Sequence, residues 1–270
     1  MVIIMNAIIV SDLHIGSRYF FRDAFALFLE TIPQDHELIL NGDTIDNPYA
    51  KLQPSDRQIL DLIKQLSLRQ RVTCLKGNHD NGYLPDRFGK IQFMRHHAIE
   101  KRLLVSHGDD FDEIMPRSRA FIKAFNMMHN LRVRLGAKPV HVAEYAKKWK
   151  SFYKILRKNV MLNAVKCARE NNYQAVACGH THYAEDRNLN GIRYFNTGAW
   201  TEFPAFFLHV TPNDMALRTI DNSFKAIKSS RIQGFHLNDS ELPRFENLEK
   251  ALKTQFGCVE TKHAAPLYFK

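Results

Sequence analysis

Five short motifs concentrate carboxylate and imidazole groups along the chain. They are Asp12-Leu13-His14, Gly42-Asp43, Gly77-Asn78-His79-Asp80, His107-Gly108-Asp109 and Gly179-His180-Thr181-His182. Oxygen and imidazole nitrogen donors without a thiolate suit divalent ions such as Mn2+, Fe or Zn2+, and donor type alone does not choose among them. Taken singly, each motif also has an ordinary explanation, because Gly-Asp is a common turn and a His-x-His pair can be a hydrogen-bonded loop. Their common position favours joint assembly, since each follows a short apolar run.

Those runs are Ala7 to Val10, Glu37 to Leu40, Val72 to Leu75, Leu103 to Ser106 and Ala175 to Cys178. They are expected to be buried strands, alternating with helices near Asp23 to Thr31 and from Pro54-Ser55 onward, where Ile59, Leu62, Ile63 and Leu66 share one face. Ile192 to Phe195, Phe206 to Val210 and Met215 to Thr219 read as further strands. In α/β sheets the carboxyl ends of strands line the ligand crevice, so motifs far apart in sequence can converge there. The steps Asp12 to Asp43 to Asn78 to His107 are 31, 35 and 29 residues, each the length of one βα unit. The next step, to His180, is 73 residues, and the excess predicts an insertion over the site. His96, His97, His129, His141 and His209 have no comparable context and are expected to be surface or core histidines.

At 270 residues with 45% hydrophobic and 24% charged residues, the chain can bury a full core, so a metal would serve chemistry rather than folding. Its four cysteines, Cys74, Cys167, Cys178 and Cys258, form no Cys-x-x-Cys pair, which predicts a reduced, cytoplasmic compartment. The apolar start, Met1 to Val10, lacks the basic segment and small-residue cleavage site of a signal peptide. The net charge of +10 is concentrated: residues 116–158 hold twelve basic residues and one acid, Glu144, while the rest is near neutral. That segment predicts an anionic partner.

The five motifs in this order resemble the calcineurin-like metallophosphoesterase superfamily, with the likeness running from about Ala7 to Thr219. Ser11-Asp12-Leu13-His14, His107-Gly108-Asp109 and Gly198-Ala199-Trp200 are most similar to the UDP-2,3-diacylglucosamine pyrophosphohydrolase group, although that group has arginine where His79 stands. The resemblance implies a four-layer α/β/β/α sandwich with a helical insertion. It also implies a metal-dependent hydrolase of phosphoric esters or diphosphates, and two divalent ions, with Mn2+ favoured. Asp12, His14 and His182 would hold the first ion and Asn78, His107 and His180 the second, with Asp43 as the bridge. His79 would act on the substrate, and Asp46, Asp80 and Asp109 would either orient imidazoles or serve as turn residues.

The expected domain spans residues 1–220, with a basic lid at about 116–172 and a C-terminal extension, 221–270, to which no role is assigned. Within the lid, Phe121, Phe125 and Met128, then Trp149, Phe152, Tyr153 and Leu156, recur at helical spacing, and Gly136 and Pro139 divide the two halves. An antiparallel helix pair is expected, with Arg117, Phe121, Phe125 and Trp149 as substrate contacts. The favoured substrate is a phosphorylated small molecule or lipid, above all a nucleotide-linked lipid such as UDP-2,3-diacylglucosamine, met at the inner face of the membrane by a peripherally associated enzyme. The alternatives are a phosphodiesterase or nuclease that holds nucleic acid on the basic segment, and a non-catalytic scaffold.

Overall fold

A computed structural model describes residues 6–80, 89–115 and 119–220, excepting the side chains of 119–126 and 142. Arg117 and the extension at 221–270 lie outside these residues, as do the side chains of Phe121 and Phe125.

The apolar runs form strands close to the predicted places. β1 (Asn6–Val10), β2 (His36–Asn41) and β3 (Val72–Leu75) pair in parallel in a six-stranded sheet of order β11-β10-β1-β2-β3-β4. This sheet also contains β4 (Gln92–Met94), β10 (Ala205–Val210) and β11 (Met215–Ile220). A second sheet has the order β5-β6-β7-β9-β8. Its strands are β5 (His96–Ile99), β6 (Leu103–Ser106), β7 (Ala175–Cys178), β8 (Glu185–Leu189) and β9 (Ile192–Asn196). The alternation of side chains gives the first sheet two buried faces. Ala7, Ile9, Ile39 and Leu75 meet Val105, Ala177 and Phe195 between the sheets, and Ile8, Val10, Leu38 and Leu40 pack outward under the helices.

Helix α1 (Arg22–Glu30) buries Phe25, Phe28 and Leu29, and α2 (Pro54–Arg69), opened by proline in its first turn, buries Ile59, Leu60 and Ile63 on the outer face of the first sheet. Trp200 is fully buried among Phe25 and Phe28, and its indole N–H donates to the carbonyl of Phe206. On the outer face of the second sheet, α5 (Lys150–Glu170) packs Ala164, Val165 and Ala168 against Val176 and Tyr194. The result is the expected α/β/β/α sandwich.

Two expectations change. The step from Asn78 to His107 contains β4 and β5 among the described residues, so its length does not identify a βα unit there. Short, half-exposed strands with little apolar alternation gave no periodic signal. The insertion comprises α3 (Arg119–Arg134), the short α4 (Val142–Ala146) and α5, and α5 continues far enough to become a layer of the sandwich. Tyr153 and Leu156, expected on an apolar lid face, are buried in the body instead.

A histidine pair is expected to make the fold acid-sensitive. His36 and His209 stack in the interior with Nε2 atoms 3.1 Å apart, while the His36 Nδ1–H donates to Asp35 Oδ1 at 2.9 Å. Burial lowers the His36 pKa, although Asp35 opposes it. A base with a lowered folded-state pKa binds more protons when unfolded. Its contribution is therefore intact above the unfolded value, about 6.5, and is lost as pH falls below it. Unfolding free energies from urea titrations should fall below about pH 6.5, and His36 should contribute at most about 1.4 kcal/mol per pH unit to that slope. His36→Gln should flatten that slope; equal slopes in both proteins would remove His36 as the cause.

Candidate metal centre

The ligand-bearing strands come from both sheets, β1, β2 and β3 from the first and β6 and β7 from the second, and their carboxyl ends meet at one edge of the sandwich. The turns there are tightly constrained. Asp12, His14, Asp43, His180 and His182 all have positive φ, from 49° to 62°, a conformation that side-chain-bearing residues adopt sparingly and that clusters at functional sites. Two glycines explain the motif spelling. A Cβ on Gly77 would lie 2.3 Å from Asp43 Oδ1, and one on Gly179 would lie 2.3 Å from Asp12 Oδ2. Each glycine thus lets one motif close onto the carboxylate of another.

The two carboxylates are held alike. Asp12 Oδ2 accepts the His180 backbone N–H at 3.0 Å, and Asp43 Oδ1 accepts that of His79 at 2.8 Å. Each is left with one oxygen facing the imidazoles. Asp12 Oδ1 is 3.1 Å from His182 Nε2, and Asp43 Oδ2 is 3.4 Å from His107 Nε2 and 3.9 Å from His14 Nε2. The Trp200 backbone N–H binds the Asp12 carbonyl, and the Ser11 hydroxyl meets Thr197 and Gly198, so the Gly198-Ala199-Trp200 turn anchors the first motif.

The proton positions indicate what the centre can hold. His14 donates its Nδ1–H to Asp46 Oδ1 at 3.1 Å, and His107 donates its Nδ1–H to the Asn41 carbonyl at 2.8 Å. In their neutral forms both therefore turn an Nε2 lone pair inward. His180 donates its Nε2–H to Asp112 Oδ2 at 2.8 Å, which sets its Nδ1 lone pair 2.9 Å from Asn78 Oδ1, another acceptor. His14 Nε2 and His182 Nε2 are 3.2 Å apart. Asp12 Oδ1 and His107 Nε2 are buried without a hydrogen-bond partner. An acceptor facing an acceptor, as His180 Nδ1 faces Asn78 Oδ1, is costly unless a cation lies between them, and nitrogens bonded at about 2.1 Å to one ion, as His14 and His182 Nε2 would be, stand roughly 3 Å apart. The residues present fit divalent ions.

Electrostatics agree. Burial raises the Asp12 pKa, but His182 and His107 overcome this and bring it down to about 2. Burial likewise opposes the charge on Asp43, whose pKa His107 and His14 nevertheless hold well below the usual carboxylate range. His107, disfavoured as a cation by burial, is raised to about 10 by Asp43 and Asp12. Buried carboxylates draw in positive charge, which a proton or a metal ion can supply.

Three ligand groupings occur among the described residues: Asp12, His14 and His182; Asp12, Asp43 and His107; and His14, Asp46 and His79. The first is the trio expected for one ion. Asn78 and His180 face each other beside the second grouping. His79 is exposed, and its Nδ1–H donates to the Asp46 carbonyl at 2.8 Å.

Of the three carboxylates considered as imidazole acceptors, Asp46 contacts His14. Asp80 instead accepts the backbone N–H groups of Ile45 and Gly77, locking the third motif, and Asp109 pairs with Arg95. The carboxylate behind His180 is Asp112, which also accepts the N–H groups of Ile114 and Met115. Its place after the His107-Gly108-Asp109 motif could have drawn notice, but nothing in the spacing separates it from Asp110. Asp112→Asn should weaken metal affinity or activity by roughly 10- to 100-fold, measured by titrating activity against Mn2+. An unchanged titration would show that His180 orientation does not depend on this carboxylate.

His141 corrects a second expectation. It lies in the insertion, buried, with its ring stacked on His182 at 5.3 Å and 5.0 Å from the His14 ring. Burial, reinforced by His182 and His14, brings its pKa down to about 3. The insertion is tied to the last motif elsewhere as well: Lys147 donates to the His182 carbonyl and to Glu202, and the Tyr153 hydroxyl donates to the Thr181 carbonyl. Trp149 stands immediately before α5 and is 39% exposed.

Solved structures that match the chain include Yfce, a phosphoesterase from E. coli, with 16% identity, a TM-score of 0.43 and coverage of 80% of this chain and 93% of that one. Chaetomium thermophilum Vps29 is 12% identical, with a TM-score of 0.45 and coverage of 81% and 90%. Entamoeba histolytica Vps29 complexed with Zn2+ is 13% identical, with a TM-score of 0.42 and coverage of 84% and 95%. No curated protein matches the chain. The sequence profile named calcineurin-like phosphoesterase matches residues 5–184, two-thirds of the chain and all five motifs up to His182, and the protein therefore belongs to the calcineurin-like phosphoesterase family.

Proposed function

We propose that the protein is a dinuclear metal-dependent hydrolase of a phosphodiester or diphosphate bond. The observation that supports this is the convergence of two acceptor sets on Asp43 Oδ2, which faces His107 on one side and His14 on the other. Asp12, His14 and His182 would hold one ion, and Asn78, His107 and His180 the other. When bound, two divalent ions polarise phosphoryl oxygens and acidify a water for attack on phosphorus. Asp46 and Asp112 keep His14 and His180 in the tautomers that ligation needs. His79 occupies the exposed side, where it can meet the ester oxygen that departs.

For the substrate, the proposal is an amphiphile such as UDP-2,3-diacylglucosamine, met at an anionic membrane surface. Met127, Met128 and Leu131 lie along one side of α3, Leu135 follows its end, and the four are 37–78% exposed, with exposed Arg134 and Lys138 nearby. Apolar side chains beside cations suit the interface between headgroups and acyl chains. No helix among the described residues is long and apolar enough to cross a membrane.

Turnover by Mn2+-loaded protein should be compared on bis-p-nitrophenyl phosphate, UDP-2,3-diacylglucosamine of graded acyl length, and single-stranded DNA. KM should rise as acyl chains shorten, since each buried methylene contributes about 0.8 kcal/mol. Salt-sensitive DNA hydrolysis without chain-length dependence would favour a nuclease, and inactivity on every substrate would overturn the hydrolytic assignment.

A further inference from the structure

We infer that His141 is a substrate-positioning residue: a neutral imidazole, supplied by the insertion, that donates its Nε2–H to a phosphoryl oxygen beside the first ligand trio. The inference rests on the proposed phosphoesterase function and adds to it a donor outside the five motifs.

The tautomer follows from the backbone. His141 is the N-cap of α4, and its Nδ1 accepts the Ala143 backbone N–H at 3.3 Å. A nitrogen that accepts cannot carry the proton, so the ring is neutral and its hydrogen is on Nε2. Among the described residues nothing receives that Nε2–H, although the ring is only 9% exposed. A ring N–H that has no protein partner and stands beside a ligand trio is available to a ligand.

Its surroundings identify the ligand chemistry. The His141 ring is stacked on His182, 15° from parallel, and lies 5.0 Å from His14 and 5.9 Å from Tyr19. It thus stands against two of the three residues that face the first ion. His141 itself belongs to none of the ligand groupings among the described residues. A neutral donor next to a cation-binding trio suits an oxyanion shared between them, because it adds a hydrogen bond without competing for the ion. A phosphoryl oxygen is that kind of group. The cap holds the ring in place, so the donor is oriented before substrate arrives.

Two substitutions separate the cap from the donor. In His141→Asn the amide oxygen can replace Nδ1 as acceptor for the Ala143 N–H, but nothing reaches the Nε2 position. In His141→Gln a side-chain N–H reaches about as far as Nε2, while the cap is lost. The probe is inorganic phosphate, titrated by calorimetry into Mn2+-loaded protein, with metal content and Tm measured on the same samples. His141→Asn should weaken phosphate binding by roughly 10- to 100-fold, as expected for one hydrogen bond to a charged group, with metal content and Tm near wild type. It should lower kcat/KM on bis-p-nitrophenyl phosphate similarly, and His141→Gln should recover much of both.

Wild-type phosphate affinity in His141→Asn would overturn the inference, and so would loss of metal, which would make His141 a ligand. A His141→Gln protein as impaired as His141→Asn would reduce the residue to a structural cap. If the wild type binds phosphate yet hydrolyses no ester, the proposed function fails while the phosphate titrations still decide His141. If the wild type does not bind phosphate, the inference falls.

Discussion

Asp43→Asn is expected to bind no more than one equivalent of metal where the wild type should bind two, and to lose about 10³-fold or more in turnover. The substitution preserves volume and leaves an acceptor for the His79 backbone N–H, which Asp43 Oδ1 now binds at 2.8 Å. It replaces the other oxygen with an amide group that has no lone pair to offer. That oxygen faces His107 Nε2 at 3.4 Å and His14 Nε2 at 3.9 Å, one from each proposed ligand set. Its loss should therefore reach both ions, whereas losing a ligand of one set should spare the other. Metal ions supply several kcal/mol of transition-state stabilisation, and each 1.36 kcal/mol is worth a factor of ten in rate. Elemental analysis of protein purified without chelator, together with turnover of bis-p-nitrophenyl phosphate, measures both effects. Full metal content and full activity in Asp43→Asn would end the dinuclear assignment.

The parts of this fold that were legible in the sequence are those whose side chains repeat. β3, β6 and β7 begin and end where apolar runs do, because a fully buried strand is apolar on both faces and stops where the ligand motif starts. β4, β5 and β8 were not legible: their residues are mostly exposed or half-exposed, and they owe their extended form to the neighbouring strand. The five motifs identified a crevice but not that two sheets build it, since one strand end looks like another until pairing is known. Likewise, nothing in the local sequence marks Asp112 or His141. Asp112 gains its role from His180, 68 residues away, and His141 from His182, through the folding of the insertion onto the last motif.

The insertion also shows how an apolar pattern can be read correctly and its partner missed. Trp149, Phe152, Tyr153 and Leu156 do recur at helical spacing, but Tyr153 and Leu156 face the protein. Burial of a long α5 against the second sheet requires such a face, whatever the substrate. Several cations have internal partners too: Lys147 with Glu202, and Arg157 with Glu185 while lying over the Tyr183 ring. The charge excess of the insertion is thus partly spent inside the molecule. On α3, by contrast, Met127, Met128 and Leu131 keep exposed side chains.

Replacing His79 with Asn is expected to lower kcat by roughly 10²- to 10⁴-fold, the range for losing acid–base assistance, while metal content stays near wild type. Its backbone N–H holds Asp43 Oδ1, and any side chain at this position keeps that contact. The ring is fixed separately, with its Nδ1–H on the Asp46 carbonyl and its edge toward His14 at a centroid distance of 4.8 Å. An Asn amide can replace the Nδ1 donor, so the substitution removes chiefly the Nε2 side. Because Nδ1 already carries a proton, Nε2 can give one to a departing oxygen only from the imidazolium form. The defect should then depend on the leaving group. A nitrophenolate needs little help to depart, and its ester should show a small loss; an alkyl ester should show the full one. Equal losses on both would instead assign His79 to stabilising charge on the phosphoryl oxygens, and loss of metal in His79→Asn would make it a ligand.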